Sequence, residues 1–158
     1  MAVDFFLKID GIPGESQDSK HKDEIQLMSW SWGESQTGTM AFGGGGGAGK
    51  VNMHDFAFVM SVNKASPKLL LACANGEHIK NATLVARKAG KDQQEYLTIK
   101  FTDLLVSAFQ TGGSGDLPTD SISFNYGKIE YEYKEQNVDG TLKGPIKVWY
   151  DLKKSQGG

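Results

Sequence analysis

Cysteine is almost absent: Cys73 stands alone in 158 residues. No intrachain disulfide framework can form and no thiolate metal site can be assembled, so folding in a reducing compartment is expected, with Cys73 as a small buried hydrophobe. Excess charge is also missing. Seventeen Lys and Arg against 19 Asp and Glu leave a net −2 at pH 7, and the basic residues are scattered without a stripe, which excludes the electrostatic footprint of a nucleic-acid binder. No apolar run is long enough to span a bilayer, so membrane insertion is not expected. The opening MAVDFFLKID has neither a basic n-region nor an apolar h-region, so export would have to bypass the general secretory signal.

Catalytic patterns are equally scarce. His21, His54 and His78 lie too far apart for a local zinc motif such as H-E-x-x-H, and no metal or cofactor is expected. Gly33-Glu34-Ser35 and Gly113-Ser114-Gly115 lack the spacing of a G-x-S-x-G nucleophile turn. Glu130 and Glu132 alternate with aromatic residues, which places them on a solvated strand face. No catalytic residue is assigned.

What the chain does have is glycine, most densely at Gly43 to Lys50 (GGGGGAGK). Gly44 to Lys50 fits the G-x-x-x-x-G-K core of a phosphate-binding loop, but Val51 stands where a Ser or Thr must hold Mg²⁺. Ser35 to Met40 is too polar for the buried strand that should lead in. Val51 to Val62 alternates as a strand where a helix should follow. The segment reads as a flexible tongue between strands, and an enzyme built on a degenerate phosphate loop is the weaker alternative.

Elsewhere the period is two. Val3, Phe5, Leu7 and Ile9 alternate with Asp4, Lys8 and Asp10; Glu24 to Trp32 reads as a second strand after the polar loop Gly11 to Lys22, a length often used for function. The apolar parity changes near His54 and Asp55, suggesting a bulge. Ser66 as cap, Pro67 in the first turn and Gly76 as a left-handed stop predict one short, buried helix. Ala82 to Arg87 and Tyr96 to Phe101 predict a hairpin, and Leu104 to Phe109 a further strand before the Thr111 to Asp116 linker. A long strand from Asp120 changes parity at Gly127, read as a bulge. Asp139-Gly140 marks a turn before a last strand, Ile146 to Leu152.

About eight strands and one short α-helix predict a mainly β protein, an antiparallel barrel or sandwich, as a single domain over residues 1–158. Such a fold leaves strand edges that a multimer could cover. In Trp30-Ser31-Trp32 the two indoles face one way and Ser31 the other.

SWSWGESQTG (Ser29 to Gly38), the glycine tract leading into GKVNMHDFAF, NKASPKLLLACANGEHI (Asn63 to Ile79), ATLVARKAG (Ala82 to Gly90), LLVSAFQTGGSG (Leu104 to Gly115) and ISFNYGKIEYEY (Ile122 to Tyr133) together resemble the haemolysin-coregulated protein (Hcp) family. These are the tube subunits of bacterial type VI secretion systems, and the likeness runs in order along nearly the whole chain. It implies a compact β-barrel-like subunit that forms a homo-hexameric ring. Such rings stack into a tube that works with sheath and spike proteins, carries effector proteins in its lumen, and passes from the bacterial cytoplasm to the medium or a target cell. By the same likeness, Gly43, Gly44, Gly45, Gly46, Gly47, Gly49 and Lys50 fall in a loop contacting neighbouring subunits or the next ring, and Ser31 on a strand lining the lumen. The likeness also implies a plain tube subunit without a fused toxin. Two departures stand out: Ala108 replaces an expected serine, and Ile146 to Leu152 (IKVWYDL) is more apolar and aromatic than expected. A monomeric barrel holding an apolar small molecule is the remaining alternative.

Overall fold

The computed structural model describes residues 3–38, 48–90 and 92–158. In chain order the described elements are β1 (Val3–Ile9), β2 (Ile25–Leu27), β3 (Ser29–Ser31), β4 (Glu34–Gly38), β5 (Ala48–Met53) and β6 (Phe56–Ser61). Then come α1 (Ser66–Asn75), β7 (His78–Lys88), β8 (Glu95–Gly112), β9 (Thr119–Tyr133), β10 (Ile146–Asp151) and β11 (Gln156–Gly157). Every pairing is antiparallel, as expected for a mainly β chain with one helix.

β8 and β9 are the spine, paired from Leu97↔Tyr133 to Gly112↔Thr119. Their two halves serve different neighbours. The first half of β8 continues through β7 to β1 and β2; the second half of β9 carries β10 and β11; the first half of β9 pairs instead with β6, and β6 with β3. β2 and β3 are successive pieces of one run, one on β1 and the other on β6, parted at Met28, whose N–H bonds Val59 O at 2.8 Å. The sheet therefore curls over itself without a continuous closing ladder, between barrel and sandwich. Strands that pass from one layer to the other need local distortion at the corner. Asp103 supplies it with φ 59°, and Ser107 is the extra residue where Val106 faces Phe124 but Ala108 faces Ser123.

Several expectations change. The bulge falls at Ser107 and not at Gly127, although Gly127 does lie where buried parity switches from Tyr126 to Ile129. Leu104 to Phe109 is no separate strand but part of β8. The parity change at His54 and Asp55 is a break between β5 and β6 that sends them to different sheets. Ser66 is not the helix cap: Ala65 holds that position in αR geometry, where no side chain can reach back. Asn63 Oδ1 takes the Ala65 N–H at 2.8 Å, and Ser66 Oγ donates to the buried carboxylate of Asp120 at 2.6 Å. That carboxylate places negative charge at the positive end of the helix. Gly76 ends it at φ 67° as expected, whereas Leu70 and Leu71 point to solvent, so the helix is buried on one face only.

The core is aromatic. Phe56, Phe58, Phe101 and Phe124 are at most 1% exposed, and the Phe56 ring lies 4.9 Å from Phe101 and 5.1 Å from Phe124. Burial of each such side chain stabilises the fold by about 2–3 kcal/mol.

A second buried centre lies on the opposite face of β1 and β7. Phe6 is off the alternating apolar set of β1 and faces outward with Val85 and Arg87, but the β1–β2 loop folds over Phe6 and Arg87. Arg87, 2% exposed, holds Asp18 of that loop through two bonds of 3.0 and 2.7 Å and Asp4 of β1 at 3.3 Å. His21 stacks on Phe6 at 4.4 Å, with Nδ1 3.0 Å from Glu24 and Nε2 2.6 Å from Glu95. Gly14 lets the loop lie on its own return segment: a Cβ there would stand 2.6 Å from Glu24 O.

Candidate functional site

On β3 the predicted division holds: Trp30 is half-buried against the core, and Ser31 is exposed on the other face. Ser31 lies in a shallow depression of about 330 Å³ formed by the outer faces of β3, β6, β9 and β8. Its lining contains no charged side chain; Ser29, Ala57, Ser121, Ser123 and Gln110 are typical, and Ala108, the departure noted above, is among them. At the rim, Ser107 Oγ at the β8 bulge donates to Asp55 Oδ2 at 2.6 Å and lies 3.2 Å from Ser123 Oγ. No imidazole joins this group, so it lacks the base a nucleophilic serine needs.

Beneath the opposite face, Trp30 and Trp32 floor a cleft of about 480 Å³. One wall is Glu34 and Met53, at the foot of the β4–β5 hairpin; the other is Ile129, Tyr131, Val148 and Tyr150 of β9 and β10. The hairpin's foot is fastened to the core: Tyr126 OH donates to His54 O at 2.9 Å and accepts from Trp32 Nε1, while His54 N–H bonds Gly33 O at 2.9 Å. Burial raises the Tyr126 hydroxyl to about pKa 12, so it remains a donor at any working pH. Above this foot the hairpin pairs with no other strand among the described residues; β4 is exposed throughout, and in β5 Val51 and Met53 are half-buried.

Gly43, Gly44, Gly45, Gly46 and Gly47 lie outside the described residues. Gly49 and Lys50 are in β5, with Lys50 exposed. No helix follows them: β5 runs through His54 and Asp55 into β6. The phosphate-loop alternative thus lacks the helix N-terminus that would receive an anion. No cluster of three or more His, Cys, Asp or Glu suited to a metal occurs among the described residues, and no described helix is long and apolar enough to cross a membrane.

Two features escaped sequence reasoning. The Arg87–Asp18–Asp4 and His21–Glu24–Glu95 groups join residues far apart in the chain, and no local pattern announces them. The second is the inner face of β9 and β10, whose signal was the apolar excess of IKVWYDL. Across that sheet Ile99, Tyr131 and Val148 stand side by side and are 0%, 38% and 55% exposed; Leu97, Tyr133 and Ile146 are 8%, 44% and 68%. One face thus runs from core to solvent within three strands.

The chain is a curled antiparallel sheet that carries the β4–β5 hairpin and an uncharged outer depression, and it matches known proteins of one family. Residues 6–133 match the family model described as "Type VI secretion system effector, Hcp". The chain is 46% identical to Protein hcp1 of Pseudomonas aeruginosa over 98% of both chains. It superposes on the crystal structure of Hcp1 from Salmonella typhimurium with TM-score 0.83, 40% identity and full coverage of both. A structure of a type six secretion system protein gives TM-score 0.93 at 29% identity, covering 99% of this chain and 100% of that one. The chain belongs to the Hcp family of type VI secretion proteins.

Proposed function

We propose that the chain is the structural subunit of the secretion tube: six copies close into a ring, rings stack within the sheath behind the spike, and effector proteins ride in the lumen. It performs no catalysis, spans one domain, and leaves the cytoplasm through the apparatus. The observation that carries this reading is the Ser31 depression. Its lining carries no charged side chain, so contact with a passenger buries no charge. The passenger can then be held while packed and released after delivery. Gly43 to Gly47, with Gly49 and Lys50, make the contact to neighbouring subunits or the next ring. A two-stranded hairpin is marginal on its own in water, and this one is supported by partners that cover it.

Native mass spectrometry at micromolar concentration tests the ring, with six copies expected; a clean monomer overturns the reading. Ser31→Arg should keep the ring and the fold but weaken effector retention, because bulk and charge enter the confined contact. Undiminished retention moves the passenger site elsewhere.

A further inference from the structure

We infer that the uncovered inner face of β9 and β10 is where a second copy of this chain packs side by side within the ring; the inference rests on the ring reading above. Tyr131, Tyr133, Ile146 and Val148 have the parity of core residues, each opposite a residue of its own kind across the ladder, yet they are 38%, 44%, 68% and 55% exposed. Together they leave on the order of 400 Å² of mostly apolar surface in water, the size at which a patch on a soluble protein marks a contact site. The row begins at Leu97 and Ile99 in the core and runs outward without a polar interruption, so a neighbour seated there would extend the same core.

The backbone gives an independent reason. β11 and the terminal glycine cover the outer edge of β10 only from Trp149 onward. Among the described residues nothing pairs with the outer edge at Ile146 to Val148, and an apolar strand with an open edge invites another chain. A passenger is the wrong occupant. It comes and goes, and between visits the patch and edge would be bare and prone to aggregate. A second copy is always present, and its contact is permanent, as apolar interfaces with aromatic centres are. The contact must be head to tail, since two such faces meeting each other would close at a dimer.

Val148→Glu tests this. The side chain is half in water in one subunit, so the fold should survive, while the ring would have to bury an unpaired carboxylate. The ring fraction at micromolar concentration should fall on the order of tenfold or more by native mass spectrometry, with an unchanged thermal melt. Lys147→Glu, on the opposite face of β10, should leave the ring intact. Val148→Cys gives a readout that does not depend on tolerating a charge: maleimide should label it slowly in the ring and Lys147→Cys quickly. If Val148→Glu still forms six-membered rings, or Val148→Cys labels fast within them, the inference fails and the ring reading stands. If rings persist but retention of passengers is lost, the face belongs to cargo and the inference fails. Should the unaltered chain be a monomer or a two-fold dimer, the ring reading fails first.

Discussion

The β1–β2 loop and the β4–β5 hairpin make an instructive pair. Both leave the main sheet, and both are rich in polar residues and glycine. The loop has become part of the body: Asp18 is gripped by Arg87, His21 is stacked on Phe6, and its backbone bonds itself at Gly14 to Asp23 and Ser16 to Glu24. Among the described residues the hairpin is fastened at its foot, through Trp32, His54 and Tyr126. Polarity does not decide whether a segment is free. What decides it is whether its charges find partners that are themselves buried, because a guanidinium withdrawn from water is costly to leave unpaired.

The largest break in this contrast should come from Arg87→Met, which removes the hold on the loop and leaves Asp18 and Asp4 without their partner. A loss of about 3 kcal/mol is expected in urea unfolding, together with faster proteolysis within residues 11–24; a loss below about 1 kcal/mol would make the grip an ornament of the surface. Next comes Tyr126→Phe, which frees the hairpin's foot by deleting one donor and one acceptor. It should cost about 1–2 kcal/mol, and hydrogen exchange should quicken at His54 while the amides of β7 stay protected. Equal quickening in both places would mean that Tyr126 serves the core and not the hairpin.

A third test uses pH. The bidentate Arg87 contact, aided by the Lys20 N–H, holds the Asp18 carboxyl well below the usual carboxylate range. The unfolded chain binds that proton more readily than the folded one, so stability from Asp18 is complete above about pH 5 and is lost as pH falls through and below about pH 4. Asp18→Asn should flatten that acid limb relative to the unaltered chain. A limb of unchanged steepness would assign the acid sensitivity to other carboxylates. The smallest effect belongs to the hairpin: Lys50→Ala should alter stability by less than about 0.5 kcal/mol, and calorimetry should find no heat of Mg-ATP binding in either form.

Much of the fold was readable because alternation is local. β1, β6, β7 and β9 follow their apolar residues, and Gly76 stops the helix where a left-handed residue had to be. The opposed faces of Trp30 and Ser31 followed from the strand period alone. What could not be read depends on neighbours distant in sequence. Phe6 lies outside the alternating apolar set of β1, and its cover arrives from the following loop. The division of residues 51–62 into β5 and β6 reflects two different sheets, and the bulge at Ser107 answers a corner shared by β8 and β9. Ser66 failed as a cap because Asp120, from β9, claims its hydroxyl.

The order of the strands also sets an order in time. β7, β8, β9 and β10 pair each with its successor in the chain, so they can zip as they emerge, whereas the long ladder of β1 is with β7, joining Val3 to Lys88. The first strand made thus meets its short partner β2 early and its long partner β7 only after α1 has been made. Until then Phe5, Leu7 and Ile9 have only the short β2 ladder beside them, a window in which nascent copies crowded on one message are most exposed to one another.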